Sequence, residues 1–435
     1  MFGMELVIVL CEMTPPINIF LSSINSKIKN MSKCNKCESI CVEQCTIKDR
    51  KRAEEVSINI AKAINSMKTN LNQSIAKFVS NFALGGVYST AINPTNSPYF
   101  TDSNFYGANE ISAYLNTKYG PTSDDVDQSV IIRNTYWDCI TRTLSVERTF
   151  YATNVTPNRI FAYPNFGSPA VVLQPGNKYS QDQFVAFQFD CNYKLVFYRE
   201  YFNSGQFVST YTDRYPPVCN IKCQNLKCDI EPCTSCDRDR AKEVVSRIQL
   251  GIALGGTTSY TEPIDANLAT LGTNILADQF APKGVFSTFA NPTSYGGVQP
   301  QSAFVGPDQV RAFYLGYALN PGETNQTLTT DEFHWDCITR TISLQATWSA
   351  VLSAPRVFAN GITLNPGDKY FQNDFHVIRL DCDYKIVYWR EYFDFYQYQN
   401  THPILIAPVC SSTCNCTSCH TKDNINNKCN KYISN

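Results

Sequence analysis

The sequence predicts an α+β protein of two tandem domains, each with helices packed on a curved antiparallel sheet. Two stretches each occur twice: residues 136–143 return as 334–341, and residues 190–202 return as 381–393. A repeat of this length indicates a duplicated domain rather than a solenoid unit. The 435 residues are 43% apolar and 13% aromatic, which is typical of β-rich domains that bury a real core.

Each copy begins with helices and ends with strands. Residues 52–67 and 240–254 carry Ala, Glu, Lys and Ile at helical spacing, and a second helix follows at about 70–82 and 265–280. A short third helix precedes the strands in each copy. The strands of the first copy are predicted at about 128–136, 139–152, 158–163, 182–190 and 194–203. Helices followed by a long meander indicate an α+β layout with the helices on one face of the sheet.

The repeats and the cysteine clusters divide the chain into six parts. These are a tail (1–33), a Cys-rich segment (34–51), the first α+β repeat (52–215), a Cys-rich linker (216–239), the second α+β repeat (240–408) and a Cys-rich C-terminal tail (409–435).

Charge and composition exclude several kinds of partner and cofactor. The net charge of −1 lacks the basic surface that nucleic-acid binding needs, and no apolar run approaches the roughly 20 residues that span a bilayer. With four His in the chain, a His-based triad or a His-rich metal site is not expected. No Gly-rich phosphate loop is present. We therefore predict no cofactor, no nucleic-acid partner and no membrane span.

The cysteine clusters have two interpretations. One is zinc, because thiolates at these short spacings can complete a tetrahedral site, and the other is disulfide bonding of segments too short to form a core. The irregular spacing favours disulfides, which implies an oxidising location such as an extracellular space or a virion. The richness in Asn, Lys, Ile and Tyr is typical of an AT-rich genome, as in a giant virus. The clustered cysteines are Cys34, Cys37, Cys41, Cys45, Cys219, Cys223, Cys228, Cys233, Cys236, Cys410, Cys414, Cys416, Cys419 and Cys429.

Two motifs carry a family resemblance. The third helix reads Gly107-x-x-x-Ile111-x-x-Tyr114, and the closing hairpin of residues 189–202 ends Arg-Glu-Tyr-Phe, with Asp394 following it in the second copy. These motifs resemble the nuclear-transport-factor-2-like, cystatin-like α+β superfamily, which includes SnoaL-like cyclases, ketosteroid isomerases and limonene-epoxide hydrolases. The resemblance implies a cone of bent sheet with a pocket at its open end, a fold that serves unrelated activities.

The catalytic pattern of the resembled hydrolases is incomplete. Those enzymes use an Asp-Arg-Asp set; Arg148 matches the arginine, whereas Phe150 stands in place of one carboxylate. Glu200 and Glu391 match the remaining acid, and the second copy lacks the other two groups. A lone carboxylate does not support paired acid–base catalysis, so we expect a protein that is not an enzyme. The candidate catalytic residues are Arg148, Glu200, Asp336 and Glu391.

Two further expectations concern residues that both copies retain. Six charged residues are candidates for a polar binding cluster in the cone, although the same residues could simply form salt bridges that hold the sheet. They are Asp138, Arg142, Glu200, Asp336, Arg340 and Glu391. The resemblance also places two cysteines of each copy on neighbouring strands, which implies the disulfides Cys139–Cys191 and Cys337–Cys382, with buried thiols as the alternative.

Together these observations favour a structural or interaction protein. The resemblance implies that the two domains pack sheet to sheet as an intramolecular pseudo-dimer, and protein partners or self-association are expected. The alternative is a SnoaL-like hydrolase, cyclase or isomerase, or a small-molecule binder, that holds an apolar ligand in the cone. Phe150 and Trp348 would exclude this alternative if they filled the two cones.

Overall fold

The computed structural model describes residues 47–90, 104–157, 159–161, 171–202, 235–256, 265–287, 303–319, 322–357 and 363–393. The predicted helix–strand order is confirmed in both copies. The first domain contains α1 (Ile47–Ser66), α2 (Leu71–Val79), β1 (Phe82–Thr90), β2 (Asn104–Tyr106), α3 (Gly107–Tyr119), β3 (Asp125–Asp138), β4 (Thr143–Asn154), β5 (Arg159–Phe161), β6 (Val171–Leu173), β7 (Lys178–Phe189) and β8 (Leu195–Phe202).

The second domain repeats the same elements in the same order. It contains α4 (Ser235–Gly255), α5 (Ala266–Ala277), β9 (Phe280–Ser287), β10 (Ala303–Val305), α6 (Gly306–Leu319), β11 (Glu323–Asp336), β12 (Thr341–Leu352), β13 (Arg356–Val357), β14 (Thr363–Leu364), β15 (Lys369–Leu380) and β16 (Ile386–Phe393). No helix in the described part of the chain is long and apolar enough to cross a bilayer.

Each domain is built on a six-stranded sheet, which is mixed rather than wholly antiparallel. The strand order is β2-β1-β8-β7-β4-β3 in the first domain and β10-β9-β16-β15-β12-β11 in the second. Every pair is antiparallel except β1 with β8 and β9 with β16, which are parallel. A long connection separates the two members of each parallel pair, so no hairpin forces them to run in opposite directions.

A glycine marks the same irregularity in each sheet. The pairing of β1 with β8 shifts register between Phe82 and Val87. A Cβ on Gly86 would lie 2.5 Å from the carbonyl oxygen of Leu195, and one on Gly284 would lie 2.2 Å from the equivalent oxygen of Ile386. Only glycine allows the two strands to approach this closely, which explains why it occurs at this position of both copies.

The two faces of each sheet have different partners. One face, here called the inner face, packs on the helices of the same domain, and the space between them is called the first or the second cone. In the first domain the inner-face side chains Val146 and Tyr198 join Ile60, Phe78 and Ile111 in one buried cluster. Because successive side chains of a strand alternate in direction, their neighbours point to the opposite, outer face.

The outer faces of the two sheets pack against each other. Seven buried side chains form a core between the domains, in which the rings of Phe184 and Phe375 stack with centroids 3.4 Å apart. Its members are Tyr136, Phe184, Ala186, Tyr201, Phe375, Val377 and Tyr392. The domains therefore form the sheet-to-sheet pseudo-dimer that the sequence predicts.

Reciprocal hydrogen bonds join the domains at the ends of β3 and β11. Asp336 accepts from Nη1 of Arg50 at 3.0 Å and from the backbone N–H of Trp137 at 3.1 Å. The second domain returns the same contacts, with Asp138 as the acceptor and Arg238 (2.8 Å) and the Trp335 N–H (3.0 Å) as the donors. Both carboxylates are buried, and each also accepts from two backbone N–H groups of the turn that follows it. These hydrogen bonds offset the cost of burying the two charges.

Candidate functional site

The same acid stands in both cones. Glu200 on β8 and Glu391 on β16 occupy equivalent positions, since Glu200 pairs across the ladder with Val185 and Glu391 pairs with His376. Tyr201 and Tyr392 follow these acids in sequence and lie in the core between the domains. Strand alternation therefore turns both acids to the inner face, into the first and second cone.

In the first cone the acid is ion-paired twice. Nη2 of Arg148 donates to one oxygen of Glu200 at 2.6 Å, and Nζ of Lys118 donates to the other at 2.8 Å. Burial would raise the pKa of Glu200, but Lys118 and Arg148 outweigh it and lower the pKa to about 2. The carboxylate is therefore ionised throughout the physiological range.

The remaining donors of this cluster are also satisfied. Nε of Arg148 donates to Gln183 at 2.8 Å, and its Nη1 donates to the hydroxyl of Tyr198 at 2.9 Å. Tyr88 stacks on Tyr198 with ring centroids 4.6 Å apart, and Phe150 is buried in the core. The Glu200 cluster of the first cone is thus enclosed by described side chains, and each of its charged groups has a partner.

In the second cone the cations are absent from the equivalent positions. Arg148 faces Gln183 across the β4–β7 ladder, whereas Ala346 faces Asp374 across the β12–β15 ladder. Lys118 of α3 corresponds in sequence to Tyr317 of α6. The second domain therefore has the methyl group of Ala346 where the first domain has Arg148, and the carboxyl group of Asp374 where the first domain has Gln183.

Glu391 differs from Glu200 in both charge and access. Its nearest described basic atom is Nδ1 of His376, 4.0 Å from its Oε1. Its side chain is 18% accessible, against 2% for Glu200. Burial raises the pKa of Glu391 to about 8, so the group is mostly a neutral carboxylic acid at pH 7. Solvent therefore reaches the side chain of Glu391 much more than that of Glu200.

Two neighbouring groups on β15 lack partners among the described residues. Nε1 of Trp389 donates to Nδ1 of His376 at 3.1 Å, so the neutral ring carries its hydrogen on Nε2, which has no acceptor within the described part of the chain. Burial lowers the pKa of His376 to about 3. Asp374 is buried with its Oδ1 unbonded to any described group, and burial, then Glu391, raise its pKa well above the usual range.

Aromatic rings line the rest of the second cone. Trp348, which replaces Phe150, is half-buried and donates from Nε1 to the hydroxyl of Tyr370 at 3.2 Å. Phe286 and Tyr314 pack with Trp389 in the core of the second domain. With Trp348 half-buried, the side chain of Glu391 remains partly accessible to solvent.

The six retained charged residues do not form one cluster. In the first domain Asp138 lies between the domains and Glu200 lies in the cone, while Arg142 donates to the carbonyl of Asp190 and covers the ring of Tyr193. Arg142 adopts φ 51° in the turn after β3, which directs it to the closing hairpin. Asp336, Arg340 and Glu391 are separated in the same way, and Asp336, proposed as catalytic from the sequence, lies at the domain interface.

The predicted Cys139–Cys191 bridge is not formed. Cys139 follows β3 and Cys191 lies between β7 and β8, and β4 separates these strands in the sheet. Cys139 is disulfide-bonded whereas Cys191 is not, so Cys139 is bonded to another cysteine. Cys139, Cys236, Cys337 and Cys382 each form a disulfide bond. The pairing of Cys337 with Cys382 stays a prediction.

The zinc alternative concerns mainly residues outside the described part of the chain. All the clustered cysteines except Cys236 lie there. Within the described ranges no three His, Cys, Asp or Glu side chains are grouped as a metal site would need.

Sequence reasoning missed Lys118, Asp374 and His376. A signal for all three was present: each differs in character between the two copies at a position that the repeat aligns. A site that is present in only one copy appears as a difference between the two aligned copies, and not as a residue that both copies retain.

The comparisons with known proteins find similar folds only. A scan against protein-family models finds no match, and a search of curated proteins finds none either. Solved structures do match. A nuclear-transport-factor-2-like protein of unknown function from Burkholderia pseudomallei is 12% identical over 37% of this chain and 98% of its own, with a TM-score of 0.27.

Two further matches have the same character. A phenazine biosynthesis-related protein from Pseudomonas aeruginosa is 15% identical over 40% of this chain and 88% of its own, with a TM-score of 0.27. A candidate SnoaL-like polyketide cyclase from Shewanella denitrificans is 11% identical over 36% and 95%, with a TM-score of 0.25. The chain is thus similar to proteins named for the superfamily that its sequence resembles. At these scores the similarity assigns it no activity, ligand or partner.

Proposed function

We propose that this chain is a small-molecule-binding protein built as an intramolecular pseudo-dimer. The first domain is its structural half, and the second cone holds the ligand. One observation carries the proposal: the same acid is ion-paired and enclosed in the first cone but unpaired by any described cation and accessible in the second. Buried polar groups are normally satisfied, so Nε2 of His376 and Oδ1 of Asp374 are groups that a ligand would satisfy.

Binding is favoured over acid–base catalysis by the protonation states of the site. A general base must be unprotonated at the working pH and still bind a proton strongly enough to remove it from the substrate. Burial raises the pKa values of Glu391 and Asp374, which makes them poor carriers of negative charge at pH 7, and lowers that of His376 to about 3, which makes the ring a weak base. The second cone therefore offers hydrogen bonds more readily than proton transfer.

The structural role expected from the sequence is retained for the first domain. Its enclosed Glu200 cluster and the reciprocal bonds of Asp138 and Asp336 suit a rigid half that supports the second domain. An oxidising location, extracellular or in a virion, belongs to the same proposal and is supported by four disulfide-bonded cysteines. Protein partners or self-association belong to it as well.

The test is calorimetric titration of the full chain with three molecules of similar size: 3-phenylpropanol, 3-phenylpropylamine and 3-phenylpropanoate. The proposal expects at least one of them to bind with one site per chain, and expects Ala346→Leu to abolish that binding by filling the second cone. Thr347→Leu is the matched control, since Thr347 is the next residue of β12 and points to the outer face. Absence of binding by all three, or binding that survives Ala346→Leu in a folded variant, would overturn the proposal.

A further inference from the structure

The two cones are built from equivalent strands but contain different ionisable groups. The first cone holds one carboxylate, Glu200, together with two cations, Lys118 and Arg148. The second cone holds two acids, Glu391 and Asp374, and the positions of both cations are taken by uncharged residues. In the first domain, Lys118 and Arg148 therefore act as counterions for the buried acid, and the second domain has no cation at these two positions.

We propose that the ligand of the second cone is an organic cation, an amine or guanidine on an apolar body, whose charged head occupies the place that Arg148 takes in the first cone. This inference rests on the proposed binding function and specifies its ligand class. The first domain serves as the template for the complex, because its Arg148 side chain is in effect a guanidine bound in the cone.

The register of the two sheets locates the head of this ligand. In the first cone the guanidinium of Arg148 donates to Glu200 at 2.6 Å and to Gln183 at 2.8 Å. In the second cone Glu391 and Asp374 occupy those two acceptor positions. A cation placed there would meet two acids instead of one carboxylate and one amide. Once the cation has favoured their ionisation, the two acids form charge-assisted hydrogen bonds, which are about twice as strong as neutral ones.

The space for the ligand comes from the change of Arg148 to Ala346. The change removes a three-carbon chain and a guanidinium from the inner face, and the accessible side chain of Glu391 lies beside the position that these atoms vacate. An apolar body of a few carbons attached to the charged head would take the place that the Arg148 side chain has in the first cone. Close packing of the interior favours such a ligand over water alone.

The walls of the second cone also suit a cation. Tyr198 is replaced by Trp389, and Phe150 is replaced by Trp348. Tryptophan is the aromatic ring that attracts cations best, and the attraction is stronger when the cation is desolvated. Replacement of Tyr88 by Phe286 removes a hydroxyl from the wall and leaves it apolar. The wall therefore selects a positive head on an apolar body.

Binding of a cation would release protons. The negative charge of Glu391 disfavours ionisation of Asp374 in the cone. Asp331 and Glu323 of β11 act on Asp374 in the same direction. His376 is the basic group on β15 that approaches Glu391. A bound ammonium favours the ionised carboxylates, so each binding event moves protons from the acids to the buffer.

The experiment uses the same three molecules, now compared for charge. At pH 7 we expect 3-phenylpropylamine to bind at least roughly tenfold more tightly than 3-phenylpropanol, because the ammonium forms charge-assisted hydrogen bonds with the acids and the alcohol forms neutral ones. The heat of binding should differ between phosphate and Tris buffers, because the two buffers take up the released proton with different enthalpies. Affinity for the amine should rise between pH 6 and pH 8, as Glu391 ionises.

Two variants and one control variant make the test specific. Ala346→Arg supplies the missing guanidinium and should abolish amine binding, whereas Thr347→Arg on the outer face should leave it intact. Arg148→Ala empties the first cone and should create a second amine site, so that the stoichiometry rises from one to two per chain. n-Propylguanidinium, the side chain of arginine in free form, is the probe for this created site.

The outcomes separate the inference from the function on which it rests. Tighter binding of the alcohol than of the amine, or amine binding that persists in folded Ala346→Arg, overturns the cationic ligand while small-molecule binding stands. Preferential binding of the phenylpropanoate has the same consequence. Absence of binding by all three molecules overturns both proposals.

Discussion

Substitution of Glu391 by Gln tests the electrostatics of the second cone directly. Burial raises the pKa of this group from its ordinary 4.5 to about 8. The folded state therefore keeps a proton that the unfolded state has lost between these pH values, and the free energy of unfolding falls as the pH rises through this window. Gln resembles the protonated acid and cannot ionise, so Glu391→Gln removes this part of the decline.

The size of the effect follows from the same pKa. Each pH unit corresponds to about 1.36 kcal/mol, which gives an upper value of about 5 kcal/mol for the whole window. The side chain is 18% accessible and Asp374 titrates in the same field, so solvent screening and coupling reduce the effect to about 2–4 kcal/mol. We expect the two proteins to be equally stable at pH 4.5 and the variant to be more stable by this amount at pH 9.

The assay is urea denaturation at pH 4.5, 7 and 9, with the difference between variant and wild type taken at each pH. This difference cancels the contributions of the groups that both proteins share. Glu55→Gln on the exposed side of α1 is the control and should show no trend with pH. Parallel stability curves for Glu391→Gln and wild type would show that Glu391 is ionised in the folded protein, and the description of the second cone would then be wrong.

Three further predictions concern the first cone and the interface. Glu200→Gln leaves Arg148 and a lysine buried without their carboxylate and should cost about 3–5 kcal/mol in urea denaturation at pH 7; an unchanged midpoint would contradict the ion-pair network. Asp336→Asn and the mirrored Asp138→Asn should each lower stability by about 1–3 kcal/mol, and clearly unequal losses would refute the reciprocal role of the pair. Phe184→Ala should cost about 3–5 kcal/mol and speed hydrogen exchange in both domains, whereas an effect confined to the first domain would contradict a shared core.

Most of the fold could be predicted from the sequence because each element is encoded in both copies, so that the two copies can be compared. The predicted strand at 194–203 is observed at Leu195–Phe202, and the predicted strand at 182–190 is observed at Lys178–Phe189. The first helices begin at Ile47 and Ser235, five residues before the predicted positions of 52 and 240. The parallel pairs were missed because side-chain alternation is the same in parallel and antiparallel strands.

The candidate site was predictable only in part. Glu200 and Glu391 were found because both copies keep them, and Arg148 was found through the resemblance. Asp138 and Asp336 look the same in sequence as the acids of the cones, yet they bind the opposite domain instead. Sequence spacing does not reveal which of two faces is covered by a second domain, so their role could not be assigned in advance.

The sequence by itself determined the duplication, the α+β class, the order of the elements and the pair of equivalent acids, because these depend on local pattern and on alignment of one copy with the other. Only the tertiary structure decided what each acid does. Glu200 and Glu391 have the same local sequence, but the ionisation of a buried carboxylate depends on the charges around it in space. Lys118 and Arg148 arrive from α3 and β4 to hold one acid ionised, and the absence of their counterparts leaves the other neutral and accessible.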